Sequence, residues 1–212
     1  MNKAIIGRKV GMTQLFAEDG RMIPVTVVEA GPCPVVQVKT VENDGYAALK
    51  LGFIETSEKA LTKPELGQFK KAGVKPHKVL KEIRVANAET YAVGAEIKAD
   101  VFQAGERVDV SGVTKGHGFT GVIKRWNQHR LKETHGVGPV HREPGSMGAN
   151  SSPSRVFKQK HLAGQYGVEN VTIQNLEVVK VDLGRNVLLI KGAIPGPKGS
   201  IVTVSDSVKK SK

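Results

Sequence analysis

The stretch from Thr114 to His161 holds most of the positive charge of this chain and is poor in residues that could build a core. Nine Lys or Arg face two Glu there, which gives +7 of the net +12 in 48 of 212 residues, and five of the six histidines also lie there. A segment with so few apolar residues cannot easily pack on itself. Because its cations would repel one another in a free chain, we expect a polyanion around them, and nucleic acid is the obvious candidate.

The composition indicates which binding partners and which cellular setting to expect. A pI of about 9.8 points to an anionic partner, and 39% apolar residues support a modest folded core. A membrane partner is not expected, because the sequence has no long apolar run and no basic amphipathic helix. Arg8 and Lys9 interrupt any signal sequence, and the single cysteine, Cys33, excludes an internal disulfide, so we expect an inert thiol and a reducing, cytoplasmic setting.

The sequence on both sides of the basic stretch predicts short strands separated by turn residues. Asn43-Asp44-Gly45 predicts a hairpin, whereas Thr62-Lys63-Pro64-Glu65 resembles a helical capping box with Gly73 as the stop. Short strands at close spacing favour a barrel or sandwich over a parallel sheet. We predict a mainly β protein with small helical elements, divided as follows: a β-barrel body from residues 1–113 and 162–208 with a helical insert near 58–78, a long irregular basic extension at 114–161, and a basic tail at 209–212.

Three further patterns in the sequence bear on functions other than nucleic-acid binding. Gly116 to Gly121 fits G-x-G-x-x-G and leaves open a nucleotide-binding enzyme, but no second strand with an acidic residue follows. His129, His135 and His141 are six apart without a cysteine partner, which is unlike the tight pairs of zinc sites. No nucleophile elbow appears, and no helix-turn-helix pattern suggests a regulator of duplex DNA. We therefore expect no cofactor, no metal, no catalysis and no small-molecule substrate.

Two features of the extension suggest how it meets RNA. Trp126 follows Val122 and Ile123 at helical spacing, so it either completes a small apolar face or packs that face onto RNA or the barrel, while Lys124 and Arg125 point toward phosphates. Residues 144–153 carry no charge and consist mostly of small residues. A neutral tip between basic arms can enter a crowded space and make backbone contacts there, unless it is merely a mobile surface loop.

Four blocks in order resemble the bacterial type of the large-subunit ribosomal protein L3 family over essentially the whole chain. They are the opening Ile6–Thr13, the central Gly112–Phe119 with Lys124-Arg125-Trp126, the loop His141–Gly148, and the return arm Val156-Phe157-Lys158 with Leu162-Ala163-Gly164. The resemblance implies a translation-factor-like barrel and an extension that threads through 23S rRNA toward the peptidyl transferase centre. It implies direct binding early in assembly, neighbouring large-subunit proteins as further partners, and no catalysis.

The residues and the resemblance together give a set of predicted rRNA contacts within the extension. They are Lys115, Gly116, His117, Gly118, Lys124, Arg125, Trp126, Arg130, Lys132, His135, His141, Arg142, Gly145, Ser146, Asn150, Arg155, Lys158 and Lys160. Because these cations lack partners in the free chain, we also expect the extension to be disordered off the ribosome.

Overall fold

A computed structural model describes residues 3–209, so most of the predicted tail, including Lys210 and Lys212, lies outside the described residues. The chain separates into two compact units, Met1–Thr114 with Asn170–Lys212, and Lys115–Glu169. No helix among residues 3–209 is long and apolar enough to cross a membrane. The strands are β1 (Ala4–Phe16), β2 (Met22–Ala30), β3 (Cys33–Lys39), β4 (Ala48–Glu55), β5 (His77–Ile83), β6 (Glu96–Ile97), β7 (Arg107–Val113), β8 (Gly118–Thr120), β9 (Gly164–Tyr166), β10 (Asn170–Asp182), β11 (Val187–Lys191) and β12 (Ile201–Asp206).

A closed antiparallel barrel forms most of the first unit, which confirms the predicted fold class. Its strand order is β1-β12-β7-β10-β11-β2, and β2 returns to β1. Fully buried Ile, Val and Leu side chains fill it, among them Ile5, Val28, Val108, Leu188 and Val204. Within the closed part of the barrel, none of these six strands has a free lateral edge.

The four strands β3 to β6 form a separate sheet, which differs from the expectation that the strands of residues 1–113 would all join the barrel. Its order is β5-β4-β3-β6. The reason is that β2 pairs with β1 on one side and with β11 on the other, so β3 finds no open edge of β2. Leu49, Leu51 and Phe53 of this sheet belong to the same buried apolar cluster as the barrel residues.

Local turn and capping signals are confirmed in this unit. The strands β3 and β4 pair antiparallel, and Gly45 takes the left-handed conformation after a short helix, α1 (Val41–Asp44). A second helix, α2 (Lys63–Ala72), begins with the Thr62–Glu65 capping box and ends at left-handed Gly73.

Cys33 lies at the start of β3 and is fully buried. Its Sγ is 3.3 Å from the carbonyl oxygen of Ile6. Burial raises the pKa of the thiol to about 12. The thiol therefore stays protonated at neutral pH, as expected of an inert packing residue.

Candidate nucleic-acid interface

The base of the extension unit is a short two-stranded ladder. The strands β8 and β9 pair antiparallel, with Gly118 opposite Tyr166 and Thr120 opposite Gly164. Next to the ladder the His117 amide donates to the Tyr166 carbonyl at 2.9 Å, and the two rings stack with centroids 4.9 Å apart. These two strands were not predicted, because three-residue strands that begin with glycine are too short to show alternation.

Gly167 fixes how closely the two chain segments of the base approach each other. Its φ is +79°, and a Cβ placed there would overlap the backbone carbonyl of Lys115. Both conditions require glycine at this position. Gly116 is also tightly placed, because a Cβ there would lie 2.8 Å from a Val168 methyl.

The glycine motif does not form a dinucleotide fold. The segment Gly118–Thr120 pairs antiparallel with β9, and the helix that follows, α3 (Val122–Trp126), has only five residues. A nucleotide-binding βαβ unit needs a parallel strand after a longer helix. The glycines of the motif therefore allow the backbone segments at the base of the extension unit to approach closely. The nucleotide-binding alternative has no structural support.

The helix α3 carries a cluster that we call the Trp126 clasp, formed by Arg125, Trp126, His161 and Leu162. The Trp126 and His161 rings are stacked 4.1 Å apart at 5°. The Trp126 Nε1 and the Arg125 Nη1 donate to the Leu162 carbonyl at 2.9 and 3.1 Å. The Arg125 guanidinium also lies over the indole ring, 4.9 Å from its centroid.

The clasp changes the interpretation of two predicted RNA contacts. His161 covers one face of the Trp126 ring, and 39% of Trp126 stays exposed. Arg125 is half-buried and joins the outgoing and returning segments, whereas Lys124 beside it is exposed. Gly164 leaves room for this guanidinium, since a Cβ there would lie 2.5 Å from Arg125 Nη1.

Beyond the clasp, the middle of the unit is held by a few backbone contacts. The Leu131 amide donates to the His141 carbonyl at 3.1 Å, and the His141 Nδ1 lies 3.1 Å from the Lys132 carbonyl. His135 has a φ of 60°, at the start of a turn that continues through left-handed glycines. The described residues contain no group of three or more His, Cys, Asp or Glu side chains placed to hold a metal ion.

The tip and the outer part of the return arm, residues 142–160, are exposed throughout. Every residue from 142 to 160 is exposed, and no helix or strand forms there. Gly145 is left-handed, and the Ser146 hydroxyl lies 3.4 Å from the Gly148 amide. Arg155 stacks over the Phe157 ring at 5.3 Å. The remaining predicted contacts of this region stand open to solvent: Arg142, Asn150, Lys158 and Lys160.

Positive charge dominates the whole unit. Residues 115–169 hold nine Lys or Arg and three Glu. Within this unit, all of which the structure describes, one basic side chain is paired with a carboxylate: Arg130 lies 2.8 Å from Glu133. Most of the cations are therefore free to meet an external anion, and that anion would meet them along one continuous stretch of chain.

Phe119 is not among the predicted RNA contacts. It lies on β8 with 81% of its surface exposed, the largest exposure among the large apolar residues of the described chain. Its position inside the glycine motif was the available signal, because an aromatic residue between glycines and cations suits the stacking of an unpaired base.

The sequence is similar to known proteins over nearly its whole length. A sequence profile of the family described as Ribosomal protein L3 matches residues 65–186. The large ribosomal subunit protein uL3 of Carboxydothermus hydrogenoformans is 57% identical over 209 residues, covering 99% of each chain. The protein of the same name from Pelotomaculum thermopropionicum is 56% identical with the same coverage.

Proposed function

Because the chain belongs to the ribosomal protein L3 family, we propose that it binds 23S rRNA directly and early in the assembly of the large ribosomal subunit. Membership makes it a structural ribosomal protein of the large subunit and not an enzyme. In this proposal the extension unit, residues 115–169, carries the main rRNA contacts and reaches toward the peptidyl transferase centre. The cytoplasm is its place of action.

The observation that carries the proposal is the excess of unpaired cations on the extension. Of the nine basic side chains within residues 115–169, one forms an ion pair with a carboxylate. Each cation that meets a phosphate releases condensed counterions, and this release drives binding to nucleic acid. To neutralise so many cations, a partner protein would need a surface equally rich in acidic residues. Folded RNA, in contrast, offers phosphates on all sides.

The unit also supports two kinds of contact. Lys124, Lys158 and Lys160 are exposed on the two arms and are suited to phosphates. The tip at 144–153 carries no charge and exposes backbone beside small side chains. Such a segment fits narrow spaces in folded RNA, where peptide groups can bond to bases and 2′-hydroxyls.

The experiment is ultraviolet crosslinking in cells followed by sequencing of the RNA attached to the protein. We expect reads concentrated in 23S rRNA, with the crosslinked peptides falling within residues 115–169. The matched control is the chain without residues 135–155, which should lose the crosslinks of the tip but retain those of the base. Reads spread over unrelated RNAs, or no crosslinks from residues 115–169 at all, would overturn the proposal.

A further inference from the structure

The outer ends of β1 and β2 form a ribbon that continues past the strands flanking them in the barrel, with the bond from the Gly192 amide to the Pro24 carbonyl at its inner end. The strand β1 pairs with β12 only over residues 4–8, and β2 pairs with β11 only over residues 25–29. Residues 11–16 and 22–24 therefore continue beyond those neighbours as a two-stranded ribbon. We call this segment, with its connecting turn at 17–21, the β1–β2 ribbon.

One face of the β1–β2 ribbon is apolar and exposed. Alternate residues share a face, and Phe16 pairs with Met22 across the strands. The exposed fractions are 54% for Met12, 70% for Phe16 and 56% for Met22. The two other exposed residues of this face, Gln14 and Pro24, carry no charge. An uncharged face with one aromatic and two methionine side chains has the composition of a protein-binding surface.

The charge at the end of the ribbon is opposite to that of the extension. The turn carries Glu18, Asp19 and Arg21, and Arg21 forms an ion pair with Asp19. Glu18 then leaves one net negative charge in a chain whose net charge is +12. Glu18 would repel a phosphate backbone here, and the one arginine of the turn is already paired with Asp19.

The second face of the ribbon adds a shallow concavity with the same character. Leu15 and Ile23 pair across the strands and, with Val179 of β10, line a space of about 520 Å³. Glu18 and Asp19 stand at its rim. An apolar floor with a carboxylate rim fits an apolar side chain that is followed by a lysine or arginine.

From these features we infer that the β1–β2 ribbon is a docking surface for a neighbouring protein, whose contact site is apolar with a basic border. Met12, Phe16 and Met22 supply the buried contact, and Glu18 faces a basic residue of the partner. Base stacking on Phe16 is disfavoured, since stacking platforms for single strands work together with cationic grooves. The inference rests on the proposed function in one respect: the partner is expected to bind within the assembled large subunit.

The test places the photo-crosslinking residue benzoylphenylalanine at position 16 of the full chain in cells. Large subunits are purified after irradiation, and the adducts are identified by mass spectrometry with and without ribonuclease. We expect a ribonuclease-resistant adduct with one other protein, whose crosslinked peptide contains apolar and basic residues. An adduct with rRNA, an adduct with a second copy of this chain, or no adduct in intact subunits would overturn the inference.

The matched control carries the same residue at position 119, inside the proposed rRNA interface. An rRNA adduct at 119 with no protein adduct at 16 refutes the docking surface alone. Failure of the position 119 chain to reach rRNA, while position 16 crosslinks to a protein, counts against the proposed function alone. A second variant, Phe16→Ser with Met22→Ser, should lower the occupancy of the identified neighbour in subunits at least several-fold and leave rRNA affinity unchanged. Unchanged occupancy of that neighbour would contradict the inference.

Discussion

Asp109 shows how a single buried carboxylate holds an irregular part of the barrel. It lies on β7 with 3% exposure and accepts hydrogen bonds from the amides of Asn175, at 2.8 Å, and Val208, at 3.1 Å. Asn175 has a φ of 58° and sits where the pairing of β10 with β7 shifts register. Burial alone would raise the pKa of Asp109, but its hydrogen bonds, among them those from the Asn175 and Val208 amides, outweigh this effect and hold the pKa below the usual 3.8.

We expect Asp109→Asn to destabilise the first unit by about 1–3 kcal/mol at neutral pH, because an amide NH₂ would replace one acceptor oxygen. A folded-state pKa below the unfolded value gives stability that is complete above pH 3.8 and is lost as the pH falls below it. The difference in unfolding free energy between wild type and Asp109→Asn should therefore shrink as the pH falls below about 4. Urea unfolding at several pH values measures this, and a difference that stays constant with pH would contradict it.

Gly167 gives a second prediction at the scale of one residue. Gly167→Ala should destabilise the extension unit by at least about 1–2 kcal/mol, because a left-handed residue with a Cβ is strained and here also meets the Lys115 carbonyl. Trp126 is the only tryptophan, so its fluorescence reports unfolding of this unit. Gly121→Ala is the matched control, since Gly121 has open space around it and an ordinary φ of −70°. Equal transitions in the two variants would refute this role of Gly167.

At the scale of elements, the sequence predicted those strands and caps whose signals are local. The Thr62–Glu65 capping box, left-handed Gly73 and the β-branched run of β2 each depend on residues a few positions apart. The partition of β3 and β4 into a second sheet was not predictable in this way. It depends on β11 occupying the free edge of β2, and β11 lies more than 150 residues further along the chain.

The candidate interface was also predictable only in part. Its charge and its uncharged tip are properties of composition and were visible in the sequence. The Trp126 clasp was not, because it joins residues about 35 positions apart through a ring stack and two bonds to a backbone carbonyl. Nothing in the spacing of Trp126 indicated that His161 would cover one face of its ring.

The return arm gives a prediction about binding to rRNA. Lys158→Glu should weaken binding to a 23S rRNA fragment and reduce the slope of log affinity against log salt by about one unit or more. Lys158 suits this test better than Arg125, whose guanidinium also closes the clasp. Lys59→Glu, an exposed charge reversal in the first unit, is the control and should change the slope less. Equal slopes for wild type and Lys158→Glu would exclude a phosphate contact at this residue.

At the scale of the whole molecule, the two units have different sources of stability. The first has a continuous buried core and a closed barrel, whereas no residue from 142 to 160 is buried. The first unit can therefore fold from its own interactions, while the outer part of the second gains most of its order from a partner.

Deletion of residues 135–155 tests this difference. We expect the thermal unfolding of the first unit to stay within a few degrees of wild type, because no core residue is removed. Large subunits assembled with the shortened chain should be defective, which sucrose-gradient profiles and translation rates would show. Normal subunits would contradict the proposed role of the tip, and an unfolded body would contradict the independence of the first unit.

The pairing of β1 with β12 also bears on how the protein is made. Ala4 lies opposite Ser205 and Arg8 opposite Ile201, so β1 is synthesised long before the strand with which it pairs. A nascent polypeptide that stops short of Ile201 leaves β1 and β7 with unsatisfied backbone groups along their open sides. Such a product stays open to proteases and self-association, so only chains translated through β12 acquire the closed fold.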